Sequence, residues 1–324
     1  MKTIVSILIT LVSVVSVAGQ KELNTLRAEG YEALYNLDYE GARKRFKKMM
    51  EIAPEHPAGA QCYASSLWLQ HLNEGWERKS TLYSTDAKEK TKVDRREAEE
   101  FRSWTRRAKT LSEARLRQNP RDVEALYFLG AAEGLEAAFA GGAERKFMAA
   151  LRSGSSAVDH HREVLTLSPQ FRDAELTIGL QNYIIGSLPL PAKVLAGTMG
   201  VRGSKKRGLA ALERVAIEGQ WARDVARILL IDLYKREKRW NDAIKLAREL
   251  SEKYPRNYLF KLQMADALAS QIVTLRKAKA PTSAEEKQLM NIFTSLSRDK
   301  SLNRSTSEFV QHRWTITRQQ LEQQ

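Results

Sequence analysis

Cysteine is nearly absent: Cys62 stands alone in 324 residues. One thiol forms no internal disulfide, and no cysteine-based zinc site is available. Its place in an apolar helical run predicts a buried, inert thiol. Glycine and proline are also sparse, 17 and 8 residues, which leaves room for long uninterrupted helices. Alternating apolar and polar runs are few, so strands are not expected, whereas apolar spacing at i, i+3, i+4 recurs throughout. After residue 18 no stretch is long and apolar enough to cross a bilayer. The signatures of common catalytic sites are missing too. There is no G-x-S-x-G, no G-x-G-x-x-G and no G-x-x-x-x-G-K-[ST], and Cys62 has no recognisable partner signature.

Acidic residues are the minority charge, 39 Asp/Glu against 53 Lys/Arg, for a formal net charge of +14. That balance favours anionic surroundings such as a lipid surface, an envelope polymer or nucleic acid. Both signs are interspersed on most predicted helices, so a solvated basic surface explains it equally well.

The first twenty residues, MKTIVSILITLVSVVSVAGQ, place Lys2 before an apolar run from Ile4 to Ala18 and end in small residues. This is the layout of a secretory signal peptide, with cleavage expected after Ala18 or Gly19. An uncleaved anchor is the alternative. No cysteine follows the run, so a lipoprotein cleavage box is lacking. The expected product is an exported, periplasmic or secreted protein, and export argues against a nucleic-acid partner. The division expected is residues 1–19 as the signal segment and 20–324 as one helical body.

Four prolines organise that body: Pro54, Pro120, Pro169 and Pro255. Twelve residues before each is an alanine: Ala42, Ala108, Ala157 and Ala243. Ten residues after each is Ala64, Gly130, Gly179 or Ala265, preceded by Tyr63, Leu129, Ile178 or Met264. Small residues let antiparallel helices approach closely, the large neighbour fills the adjacent hole, and proline ends the second helix. The pattern resembles the tetratricopeptide repeat, a helix–turn–helix unit of about 34 residues. The best copies lie near 23–56, with Gly30, Tyr39, Ala42, Phe46 and Pro54, and near 224–257, with Tyr234, Trp240, Ala243 and Pro255. Met49 departs by replacing a small residue, and His161 and Ala247 by standing where an aromatic is expected. The fold class implied is all-α, a right-handed helical-hairpin solenoid of four to six units.

Two insertions break the spacing. The polar run at 73–92 predicts a loop or exposed helix extension. The other, at 187–203, lies within QNYIIGSLPLPAKVLAGTMGVRGSKKRG, residues 181–208. There Pro189 and Pro191 are expected to redirect the chain, and Ile184, Leu188, Leu190, Val194 and Leu195 to pack on the stack as an apolar plug. Tyr183, Gly186, Ser187, Leu188, Pro189, Gly200, Arg202, Gly203, Lys206, Gly208 and Leu209 resemble a stretch of exported bacterial tetratricopeptide proteins of unassigned function. More loosely they resemble the eukaryotic tetratricopeptide family that includes an inclusion-body-clearance protein. This resemblance implies a shared fold variant and no enzymatic activity. Predicted helices follow near 172–186, 203–218, 221–237, 240–253, 257–278, 283–297 and 305–321, the last a polar cap near 305–324. Ile228, Leu229 and Leu230 are expected near the centre of the stack.

The function expected is non-catalytic: a scaffold of the cell envelope that holds a protein or peptide partner in the groove of its stacked helices, with no cofactor. Tyr127, Glu133, Asn182 and Tyr183 are the candidate groove residues. The alternative is a basic protein that binds an anionic polymer or lipid headgroups. Arg202, Ser204, Lys205, Lys206 and Arg207, at a helix start, are its candidate anion ligands. A second alternative is an enzyme with a site near 181–208 or at His160-His161. Adjacent histidines on a helix diverge by about 100° and form no metal pincer.

Overall fold

A computed structural model describes residues 17–77, 93–198 and 200–323. The signal segment up to residue 16 and most of the 73–92 insertion lie outside the described residues. Among the described residues there are fourteen α-helices, one 3-10 turn at Arg172–Ala174 and no strand. The first six helices are α1 (Val17–Tyr35), α2 (Tyr39–Ile52), α3 (Ala58–Glu77), α4 (Arg95–Gln118), α5 (Val123–Gly142) and α6 (Phe147–Leu167). Then come α7 (Glu175–Ser187), α8 (Leu190–Thr198), α9 (Lys205–Glu218), α10 (Arg223–Arg236), α11 (Trp240–Lys253), α12 (Tyr258–Lys277), α13 (Ser283–Ser297) and α14 (Arg304–Glu322). Each helix packs on the next, except that α7 packs on α9 and α8 stands aside.

The four anchor prolines all fall in the turns that follow a helix, after α2, α4, α6 and α11. The same pair of backbone bonds builds each turn. The cap amides of Ala53, Asn119, Ser168 and Tyr254 donate to Met49, Arg115, Val164 and Leu250. The amides of His56, Asp122, Phe171 and Asn257 then donate back to those four cap residues' carbonyls. A proline fits at the second position because its missing N–H is not needed there. Side chains start several helices: Asp38, Asp122, Ser204, Asn257 and Asn303 each accept a backbone amide of the first turn.

All eight small positions read from the repeat are buried. Their large neighbours Tyr63, Leu129 and Met264 are buried as well, while Ile178 is only half-buried. The apolar run of α10 is placed differently from expectation. Leu230, Ile231, Leu233 and Tyr234 enter the core, and Ile228 and Leu229 stay half-buried. The 3.6-residue period turns them toward the rim. Cys62 is fully buried, and burial pushes its thiol pKa up.

The stack curls until its start meets its later part. Tyr35 packs its ring 5.2 Å from that of Tyr254. Its carbonyl accepts the Asn257 Nδ2 at 2.7 Å, and Asn36 accepts the Arg256 amide. Midway along α1, the Arg27 guanidinium lies over Phe128 of α5 and over Trp221, in the turn between α9 and α10. A helix that touches α3, α5, the α9–α10 turn and the α11–α12 turn lies inside the curve. The interior of the curl is therefore filled by α1.

Candidate functional site

Where α1 crosses α5, a cavity of about 300 Å³ remains. Gln20, Asn24 and Arg27 of α1 line it, with Val123, Glu124, Tyr127 and Phe128 of α5, Phe171, and Gln220 and Trp221. Arg27 is 5% exposed and stacks 4.2 Å from the Trp221 ring and 5.1 Å from the Phe128 ring. Aromatic faces stabilise a desolvated cation by their quadrupoles. They accept no strong hydrogen bond, and the Arg27 Nε is buried with no partner among the described residues. A buried donor left in that condition costs about 1–3 kcal/mol.

Two carboxylates frame this cation. Glu124 lies within reach of His56 Nε2 at 3.0 Å and of Arg115 at 3.3 Å. Burial alone would raise its pKa; the His56 bond and Arg115 outweigh that and hold it below the ordinary range. Asp173 is spent on backbone. Its two oxygens accept the amides of Gln220, Trp221 and Ala222 at 3.2, 2.9 and 2.6 Å. These amides precede α10, whose own cap residue, Ala222, supplies no side-chain acceptor. Asp173 thus caps α10 from another repeat and fixes the turn that carries Trp221.

Of the four groove residues read from the sequence, Tyr127 lines this cavity. Glu133 is held by Ser156 Oγ and His160 Nδ1, each at 2.9 Å. Asn182 donates to the Ile178 carbonyl of its own helix. Tyr183 is 2% exposed; its hydroxyl donates to Glu237 at 2.7 Å, and burial, then Glu237, push its pKa up to about 12. Each of these three has a hydrogen-bond partner within the protein.

The basic set divides as well. Ser204 Oγ caps α9 by accepting the Arg207 amide at 3.4 Å. Lys205 pairs with Glu237 at 2.7 Å. Arg202, Lys206 and Arg207 are exposed, and none of them enters an ion pair among the described residues. The expected apolar plug is overturned: Ile184, Leu190, Val194 and Leu195 are 50–75% exposed, and Leu188 is half-buried. Part of the irregular 187–203 insertion is itself the helix α8, with Pro191 in its first turn.

His160 and His161 diverge. Its bond to Glu133 raises the His160 pKa. His161 turns inward, donates through Nε2 to the Tyr127 carbonyl at 3.1 Å and stacks on the Tyr127 ring. Its ring fills the space above Gly130, where a Cβ would lie 2.5 Å from it. The aromatic expected there is thus replaced by another ring. Burial lowers the His161 pKa to about 4. The unfolded chain takes up this proton near pH 6.5 and the folded chain near 4, so stability falls as the pH drops between the two. Denaturant titrations across that window are expected to show a steeper loss in the wild type than in His161→Phe. No cluster of three or more His, Cys, Asp or Glu suited to a metal occurs among the described residues.

No family model matches the chain, and no curated protein matches it. Similar solved structures include two tetratricopeptide proteins. A thermophilic tetratricopeptide protein of Thermus thermophilus has 16% identity and a TM-score of 0.41, covering 77% of this chain and 98% of its own. A tetratricopeptide repeat protein of Parabacteroides merdae has 12% identity and a TM-score of 0.31, covering 91% and 99%. The repeated turn and the eight buried small positions are this chain's own evidence of architecture, and by them it is a tetratricopeptide-like helical-hairpin solenoid.

Proposed function

We propose that the chain is a non-catalytic binding module of the cell envelope that captures a protein or peptide partner by an anionic group, seated at Arg27. The observation that carries this reading is the guanidinium of Arg27, 5% exposed and held between the Trp221 and Phe128 rings, in the lining of a 300 Å³ cavity. A carboxylate is the natural complement, since charge-assisted bonds to arginine are among the strongest a buried site makes. Trp221, Phe128 and Tyr127 supply flat apolar walls for the side chain or backbone that carries it. The envelope location rests on the signal-like N-terminal segment.

A pool of random hexapeptides with free C-termini, and the same pool amidated, tests it. Capture by the full chain is expected to enrich peptides with a free terminus or an acidic side chain. Arg27→Met, which keeps the stem and removes the donors, is expected to lose that enrichment while remaining folded by circular dichroism. Failure to enrich anionic peptides overturns the proposal, and so does enrichment that survives Arg27→Met.

A further inference from the structure

The faces of α8 are reversed relative to an ordinary surface helix. At about 100° per residue, Leu190, Val194, Pro191 and Leu195 occupy an arc of roughly 140°. Leu190 is 75% exposed, Val194 60% and Leu195 59%. The opposite arc carries Ala192 and Ala196, and Ala196 is the buried residue of the helix. A helix lying on a protein in water normally buries its leucines and turns its small or polar residues outward. Ile184, in the last turn of α7, adds a further exposed aliphatic side chain.

The packing beneath explains why α8 is held out. α7 and α9 meet backbone to backbone: a Cβ on Gly208 would lie 2.5 Å from the Tyr183 amide nitrogen, and one on Gly186 2.4 Å from that of Lys205. No gap remains between them for α8 to fill. At the far end of α8, Gly200 adopts φ +77° and the Val201 amide returns to the Ala196 carbonyl, which ends the helix and sends the chain back to α9.

Charge decides what this patch faces. From Leu176 to Leu212 the chain carries five Lys/Arg and no Asp/Glu. Glu237 engages Lys205, which leaves Lys193 within α8 and Arg202, Lys206 and Arg207 in the stretch that follows it exposed and without an ion-pair partner among the described residues. Residues 188–203 also hold no aromatic side chain, the type that dominates the binding hot spots of protein interfaces. Exposed leucine and valine flanked by unopposed cations are the chemistry of an anionic bilayer interface. The aliphatic side chains reach the acyl boundary and the cations meet headgroup phosphates.

We propose that α8 is a membrane-docking element, placing Leu190, Val194 and Leu195 in the interface of an anionic bilayer, with Lys193, Arg202, Lys206 and Arg207 on its headgroups. The nine-residue helix lies in the interface and does not span it. The contact is separate from the cavity at Arg27.

The full chain carrying Val194→Cys, labelled with an environment-sensitive fluorophore, tests this. Cys62 is buried and spared by the label. Vesicles of phosphatidylglycerol are expected to blue-shift the emission, while phosphatidylcholine vesicles do not. The same label at Lys245→Cys, exposed on α11, is expected to stay unchanged. Adding Lys206→Ala and Arg207→Ala is expected to weaken the vesicle affinity roughly 25-fold, about fivefold per charge. Arg27→Met is expected to leave the shift intact, so that failure of the peptide reading and failure of this one are distinguishable. No shift at position 194, an equal shift with neutral vesicles, or a shift produced by raising the protein concentration alone overturns the proposal. The last result would assign the patch to a second copy of the chain.

Discussion

Gly208→Ala is expected to destabilise the fold by about 1–3 kcal/mol or more, measured as a fall in the midpoint of guanidinium unfolding. The cause is the absence of anything that can move. The added Cβ would lie 2.5 Å from the Tyr183 nitrogen, 2.7 Å from the Gly179 carbonyl oxygen and 2.8 Å from the Tyr183 Cα. All three are backbone atoms inside a regular helix, so relief requires α7 and α9 to separate and to give up close-packed contacts along their length. Gly197→Ala in the same segment is the control. Nothing lies within 4 Å of its added methyl, and alanine is the better helix former by about 1 kcal/mol, so this variant is expected to match or exceed the wild type. Equal behaviour of the two variants would show that the α7–α9 crossing is looser than described.

Asp173→Ala is expected to cost a comparable amount, about 3 kcal/mol, because it strands three amides at once. Ala222, whose amide makes the shortest of the three bonds, is itself buried, so water replaces the carboxylate poorly. Asp173→Asn keeps one acceptor oxygen and is expected to lie between alanine and wild type. The same substitution unfastens the turn that presents Trp221. Peptide capture at the Arg27 cavity is therefore expected to weaken in Asp173→Asn, even under conditions where the variant is fully folded. An alanine variant within about 0.5 kcal/mol of wild type would mean that solvent satisfies these amides.

The repeat was legible because its physics is local. A proline turn, a small residue twelve positions earlier and another ten later act within one helix pair, so spacing alone reveals them. The helices after Pro169, α8 excepted, could be placed within a few residues for the same reason. What spacing does not carry is which repeat touches which. Arg27 reads as one more charged residue of a mixed helix; its partners Phe128 and Trp221 lie about 100 and 200 positions away, and only the curl of the stack joins them. Asp173 carries no sequence signal because its partners are backbone amides, which leave no trace in residue type. The polar and aromatic chemistry of Glu133, Asn182 and Tyr183 suits a groove and suits hydrogen bonding within the scaffold equally well. The glycines of 197–208 match no phosphate-loop signature, and Gly208 serves a helix crossing and Gly200 a helix end. Exposure of the α8 side chains is not legible in the sequence, because apolar residues beside a stack are by default expected to join it.

The clasp between Tyr35 and the Tyr254–Asn257 turn changes how such a chain can assemble. An open repeat array behaves as a one-dimensional lattice, in which each unit can order on its neighbour and the end units fray. Here the opening helix draws part of its burial from residues some 220 positions downstream. Closing a loop of that length is entropically late and slows folding relative to the local hairpins. A chain emerging amino-terminus first would order its middle repeats before α1 could dock. Until then the aromatic faces of Tyr35 and Trp221 would wait in solvent, and the cavity at Arg27 would not exist. That cavity is thus among the last features to form, and its presence reports that α1 has docked against α5 and the α9–α10 turn.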